Sequence, residues 1–153
     1  MLSSLGSRTP RLDRSSGTHA VIMAPTRELC TQILSVTETV IKPLYWLVAG
    51  AVMGGEKKSS EKARLRKGVT LLVATPGRLL DHLRTTQALN TTNLQWFVLD
   101  EADRLLDLGF ERDLTDIVAA LDERADGTRC SALFSATLGA NVERLAKVRA
   151  VLD

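Results

Sequence analysis

Asp100 and Glu101 stand side by side where the strand-like stretch 95–99 ends. Two adjacent carboxylates at a dry strand tip repel each other unless a cation lies near them. The first can hold a hydrated Mg²⁺ that bridges phosphate oxygens. The second can orient or deprotonate an attacking water. Asp100 can also cap a helix starting near Glu101, and both roles can hold at once. Three other apolar stretches stop as abruptly. Ala24 runs into Pro25-Thr26-Arg27-Glu28, Ala74 into Thr75-Pro76-Gly77-Arg78, and Phe134 into Ser135-Ala136-Thr137. Arginines there offer forked donors to phosphate. Glycines and a helix start after Pro76-Gly77 let backbone N–H groups come close to an anion.

The elements that must carry these clusters follow from periodicity. Residues 19–24, 45–53, 69–74, 95–99 and 130–134 read as short buried strands. Between them lie helical patterns. Leu29, Ile33, Val36 and Val40 recur on one helical face, as do Leu114, Ile117, Val118 and Leu121. Residues 56–67 are helix-permissive, polar and expected to be exposed, with Gly68 at their C-terminal end. A short helix from Arg78 carries Leu79, Leu80 and Leu83, and a last one over 141–151 turns Val142, Leu145 and Ala146 inward. Apolar strands alternating with helices specify an α/β domain of three layers with a mostly parallel sheet. In such a sheet the strand C-terminal ends share one edge, where ligands bind. Clusters far apart in sequence are therefore expected to meet.

Composition narrows the class. The chain has 153 residues, 44% of them hydrophobic and 25% charged, which suits one soluble globular domain and excludes a collagen-like or disulfide-dense one. No apolar run reaches the roughly 18–20 residues that span a bilayer. The formal charge of +2 conceals an asymmetry. Residues 56–67 hold six cations against two acids, and residues 100–126 hold ten acids against three arginines. One region can face an anion, while the other needs a cation or solvent. Cys30 and Cys130 form no CxxC pair and, with only two histidines, no zinc spacing. Both read as reduced, buried thiols. Residues 1–17 are Ser/Arg-rich without an apolar core and read as a disordered leader, with the domain over 18–153.

Together the clusters spell P-T-R-E-L-x-x-Q from Pro25 to Gln32, G-G at Gly54-Gly55, T-P-G-R at 75–78, D-E-A-D at 100–103 and S-A-T at 135–137. This ordered set resembles the first RecA-like domain of DEAD-box ATP-dependent RNA helicases over residues 19–153. The resemblance implies that Asp100 holds Mg²⁺ and Glu101 activates the hydrolytic water on ATP. It implies that Asp103, Ser135 and Thr137 couple nucleotide state to domain closure. It also implies that Pro25, Thr26, Arg27, Glu28, Gly54, Gly55, Thr75, Pro76, Gly77 and Arg78 line an RNA groove with little sequence preference. Plainer readings stand beside these: a local Arg27–Glu28 salt link, and a simple turn at Gly54-Gly55. The segment 53–68 is similar to the nucleolar branch that acts in large ribosomal subunit assembly, which implies a nuclear, nucleolar place and pre-ribosomal partners. A monomer without a membrane partner is expected.

The phosphate-binding pattern G-x-x-x-x-G-K-[ST] does not occur, since no Gly-Lys dipeptide exists in the chain. The resemblance implies that the strand carrying that loop lies beside the S-A-T strand. The expectation is therefore a RecA-like domain truncated at its P-loop strand and without the second RecA-like domain. Such a chain has an unpaired edge, a loose state and no ATP hydrolysis by itself. Two other functions remain open: a nucleotide-independent, weak RNA-binding module, and a piece that titrates the partners of a longer helicase.

Overall fold

The structure, a computed structural model, describes residues 1–7, 11–124 and 129–136. Five strands form one sheet: β1 (Ala20–Met23), β2 (Ala49–Val52), β3 (Leu71–Ala74), β4 (Trp96–Leu99) and β5 (Cys130–Leu133). Their order is β2-β3-β1-β4-β5, and every neighbouring pair is parallel. This is the α/β architecture expected from the sequence. The strands are shorter than the apolar runs that announce them. Residues 45–48 lie outside β2 as turn and loop, with Tyr45 78% exposed.

Alternation along the strands builds two cores. On one face Val21, Met23, Leu72, Ala74, Phe97 and Leu99 pack in one cluster with Leu65, Leu79, Leu83, Leu105, Leu114 and Ile117. These side chains come from α3 (Lys58–Arg66), α4 (Pro76–Thr85), α5 (Ala102–Asp107) and α6 (Glu111–Asp122). The face of α6 is the one read from its sequence: Leu114, Ile117, Val118 and Leu121 are all buried. Pro76 occupies the first turn of α4, two residues before the expected start, where its fixed φ and missing N–H cost nothing.

On the other face lies α2 (Arg27–Ile41). Leu29 and Ile33 are half-buried against the core as expected, but the C-terminal half of the stripe is not the expected one. Val36 and Val40 are 64% and 51% exposed. Cys30, Thr37 and Ile41 are buried instead, with Leu34 packed against Ala24, Ala51 and Val73. The inward face is thus centred one residue later than the aliphatic pattern, at Cys30, Leu34, Thr37 and Ile41. Thr37 can face inward because its hydroxyl donates to the Ile33 carbonyl at 2.7 Å. Burial pushes the Cys30 thiol up to about 11. Cys130 is exposed, because it begins β5, which among the described residues pairs only with β4.

The N-terminal segment also departs from expectation. Residues 2–6 form α1 (Leu2–Gly6), and Leu5 and Leu12 are buried with Ala20, Ile41, Leu47 and Leu71. A single 3₁₀ turn at Arg14–Ser16 follows, capped by Asp13, whose carboxylate accepts from the N–H groups of Ser15 and Ser16. Leu5 and Leu12, with Met1 and Leu2 packed beside them, dock a segment whose composition otherwise reads as disordered. The helix expected over 141–151 lies outside the described residues, as does Thr137. Among the described residues no helix is long and apolar enough to cross a membrane.

Candidate functional site

Register brings the clusters together. Met23 is level with Ala74 and Leu99, Ala74 with Val52, and Leu99 with Leu133. All five strands therefore end in one row. Main-chain hydrogen bonds continue past it. The Ala24 N–H donates to Ala74 O (3.0 Å), Thr75 to Val52 (3.2 Å), Asp100 to Met23 (2.9 Å), and Phe134 to Leu99 (2.8 Å). Along this rim the order is Gly54-Gly55, then 75–78, then 25–28, then 100–103, then Ser135. The two basic clusters and the glycine pair occupy the β2–β3–β1 half. The acidic pair and Ser135 occupy the β4–β5 half.

The first half is built around a residue of a helix whose polar composition predicts exposure. Glu61, in the first turn of α3, is fully buried. Its Oε1 accepts the Met53 N–H at 3.1 Å and the Gly54 N–H at 3.2 Å. Its Oε2 accepts from Arg78 Nη1 at 2.5 Å and lies 2.8 Å from His82 Nε2. Burial alone would raise this carboxyl. The hydrogen bonds from His82, Arg78 and Gly54 outweigh it and hold the group below its ordinary range. His82 is fully buried too, and its Nδ1 lies 2.9 Å from Thr86 Oγ1. An ionised carboxylate only accepts, so Nε2 carries a proton toward Glu61.

The glycine pair is more than a turn. Gly54 and Gly55 have φ of +74° and +78°, the left-handed region. A Cβ on Gly54 would lie 3.4 Å from Arg78 Nη2, and one on Gly55 would fall 2.1 Å from Arg27 Cζ. Two guanidinium groups thus rest against two side-chain-free residues. The Gly54 N–H is committed to Glu61, so what this glycine supplies is room for an arginine rather than an amide for an anion. No Arg27–Glu28 salt link forms among the described residues. Thr26 caps α2, its hydroxyl accepting the Leu29 N–H at 3.3 Å. Pro25 and Pro76 are buried, whereas Arg27, Glu28 and Gly77 are exposed. The prolines lie beneath the rim, and the others are open to solvent on it.

The second half is barer. Asp100 is half-buried, and its Oδ1 accepts the Glu101 N–H at 3.0 Å. It does not cap α5; Glu101 holds that position, without a side-chain cap bond. Glu101 has φ 49° and ψ 52°, and among the described residues it is the sole non-glycine at positive φ. That conformation costs an L-residue on the order of 1–2 kcal/mol. Its carboxylate pairs at 3.2 Å with Arg104, which is 57% exposed. Asp103 lies in the first turn of α5, and the Ala102 N–H donates to the Phe134 carbonyl at 2.9 Å. The residue before Asp103 is thereby tied to the residue before Ser135. No group of three metal-ligating side chains exists among the described residues. A hydrated Mg²⁺, which usually takes one or two carboxylates and keeps its waters, needs no such group, and Asp100 Oδ2 is compatible with that habit.

A model of DEAD/DEAH box helicases matches residues 1–145. The match includes the docked N-terminal segment. An ATP-dependent RNA helicase dbp7 of Emericella nidulans is 54% identical over 143 residues, covering 88% of this chain and 18% of that protein. An ATP-dependent DNA helicase DDX31 of Dictyostelium discoideum is 52% identical over 141 residues, covering 90% of this chain and 16% of that protein. Among solved structures, the yeast DEAD-box splicing factor Prp28 superposes with a TM-score of 0.84 at 36% identity, over 92% of this chain and 33% of that one. The chain thus spans under a fifth of the length of these curated relatives.

Proposed function

Because the chain belongs to the DEAD/DEAH box helicase family, we propose that it forms most of the first RecA-like domain of an ATP-dependent RNA helicase. The observation that carries this reading is the level row of strand ends, which sets basic and acidic clusters along one rim. Arg27, Glu28, Gly55, Thr75 and Gly77, with Arg78 behind them, form the RNA-facing half, shaped by Pro25, Thr26, Gly54 and Pro76. Contacts to phosphate and ribose carry little sequence information, so binding is sequence-tolerant. Asp100 would hold a hydrated Mg²⁺, which when bound to ATP neutralises charge developing on the phosphates. Glu101 orients the water that attacks. Asp103, Ser135 and Thr137 link nucleotide state to closure on a second domain.

The relatives' names favour RNA, and the likeness of residues 53–68 to the nucleolar branch leads us to place the protein in the nucleolus, acting as a monomer on pre-ribosomal RNA. One relative is named for DNA, which makes the sugar a point to measure. The test is fluorescence anisotropy with single-stranded poly-uridine RNA and poly-thymidine DNA. Binding to RNA weakens steeply with salt, falls several-fold when Arg27 and Arg78 are both alanine, and is unaffected by ATP in this chain. Equal binding by the double variant would remove the RNA groove. The chain alone does not hydrolyse ATP, because it lacks a Gly-Lys phosphate loop; an upstream-extended chain carrying one does, with RNA stimulating it.

A further inference from the structure

We infer that Glu61 is a positioning residue for nucleic-acid binding, acting through Arg78 and the Gly54 main chain. The inference rests on the reading of the β2–β3–β1 half of the rim as an RNA surface. Four donors converge on this one carboxylate: the N–H groups of Met53 and Gly54, Arg78 Nη1 and His82 Nε2. An ionised carboxylate offers about four lone-pair sites, so its accepting capacity is filled. The donors come from three segments: the loop after β2, and two successive turns of α4. Glu61 itself comes from α3. No other side chain among the described residues joins the glycine loop to α4 in this way.

The consequence is geometric. Arg78 is fixed at Nη1, and its guanidinium lies against Gly54 with Nη2 nearest the place a Cβ would take. Gly54 is fixed by the same carboxylate. Arginine and glycine therefore cannot move independently, and the remaining guanidinium N–H groups keep a set direction. A guanidinium held this way loses less rotamer freedom when it meets a phosphate. His82 completes the clamp from the next turn, itself held by Thr86.

Electrostatics alone argues the opposite sign. Replacing Glu61 by glutamine removes a negative charge 2.5 Å from Arg78, which by charge alone strengthens binding to a polyanion. Positioning predicts weaker binding, because a glutamine offers half the acceptor sites and turns two N–H groups on a cluster of donors. The experiment is anisotropy of labelled poly-uridine RNA with the full chain, for wild type, Glu61→Gln, Arg78→Ala and the double variant. Arg78→Ala weakens binding about 5- to 10-fold and lowers the salt slope by about one. Glu61→Gln weakens binding about 5-fold in the wild type and less than 2-fold in the Arg78→Ala background, the signature of acting through that residue. Stronger or unchanged binding by Glu61→Gln, with Arg78→Ala still weak, overturns the positioning role alone. Unchanged binding by Arg78→Ala overturns the RNA reading at this position and the positioning role with it. If Glu61→Gln does not fold, Glu61→Asp carries the test. It keeps the charge but is one methylene too short to reach all four donors, and the same thresholds apply.

Discussion

At the β2–β3–β1 end of the rim a fully buried carboxylate gathers four donors, and two arginines lie against two glycines. At the β4–β5 end two adjacent carboxylates stand half-buried, and Glu101 meets one exposed arginine from a strained backbone. The first half is tied side chain to side chain. The second is tied mainly through main-chain bonds, such as Ala102 to Phe134. A surface that only has to present cations to a polymer can be prearranged in the folded chain. Under the proposed function the other surface accepts a change of charge, and its carboxylates have only a local N–H and one exposed arginine as partners. The helicase reading requires this division, and it implies different responses of the two halves to substitution.

The largest expected effect is on stability. Glu61→Ala leaves Arg78, His82 and two main-chain N–H groups without their acceptor, so it costs about 3–5 kcal/mol in denaturant unfolding. Asp100→Asn changes stability by no more than about 0.5 kcal/mol, because it breaks no buried side-chain pair. Equal losses at both positions would break the contrast between the halves.

Acid sharpens the same contrast. The folded-state Glu61 carboxyl lies below its ordinary value of 4.5. The unfolded chain therefore takes up the proton first as pH falls. The stabilising contribution is complete above about pH 4.5 and is lost as pH drops through the lower folded-state value. Asp81 is lowered in the same direction by the hydrogen bond from Lys58 at 2.6 Å, and adds a smaller share. In Glu61→Gln the slope of stability against pH below 4.5 flattens; in Asp81→Asn it flattens less. A slope unchanged by Glu61→Gln would mean that this carboxylate is not clamped.

Much of this was legible beforehand, and the parts that were not share a cause. Strand tips announce themselves because apolar runs stop at Pro25, Gly54, Thr75, Asp100 and Ser135, and the α6 stripe shows because all four of its inward residues are aliphatic. Glu61 is hidden among Lys58, Ser59, Ser60, Lys62 and Arg64, where one buried acid leaves no periodic mark. Its partners lie 17 and 21 residues away, so only the fold can reveal the pairing. The face of α2 follows its aliphatic pattern at Leu29 and Ile33 and departs from it beyond them, because Val36 and Val40 are apolar but exposed, while Thr37, whose hydroxyl is satisfied by its own helix, is buried. The strain at Glu101 has no sequence signal, because glycine or asparagine is the usual occupant of that conformation.

Glycines separate backbone strain from site geometry. Gly55 and Gly109 have nearly the same φ, +78° and +84°. A Cβ at Gly55 strikes the Arg27 guanidinium, whereas one at Gly109 meets nothing within 4 Å. Alanine at either position costs about 1 kcal/mol of stability. Only Gly55→Ala also displaces Arg27, and it weakens poly-uridine binding several-fold, while Gly109→Ala leaves binding unchanged. Loss of binding in both would assign the effect to stability and not to the rim.

The smallest effect tests the acidic half. Glu101 sits in the left-handed region with its side chain 39% exposed, so its conformation is imposed by the strand end and the start of α5. Glycine adopts that conformation freely, and alanine does not. Alanine is the right reference, because Glu101→Ala and Glu101→Gly both lose the exposed Arg104 pair and differ only in the backbone. Relief of about 1–2 kcal/mol of strain is partly offset by the greater freedom of glycine in the unfolded chain, about 0.4–1 kcal/mol. Glu101→Gly is therefore about 0.5 kcal/mol more stable than Glu101→Ala in thermal or denaturant unfolding. If the alanine variant is the more stable of the two, the backbone at Glu101 is not strained. The acid would then owe its place to the Arg104 pair rather than to a conformation kept for chemistry.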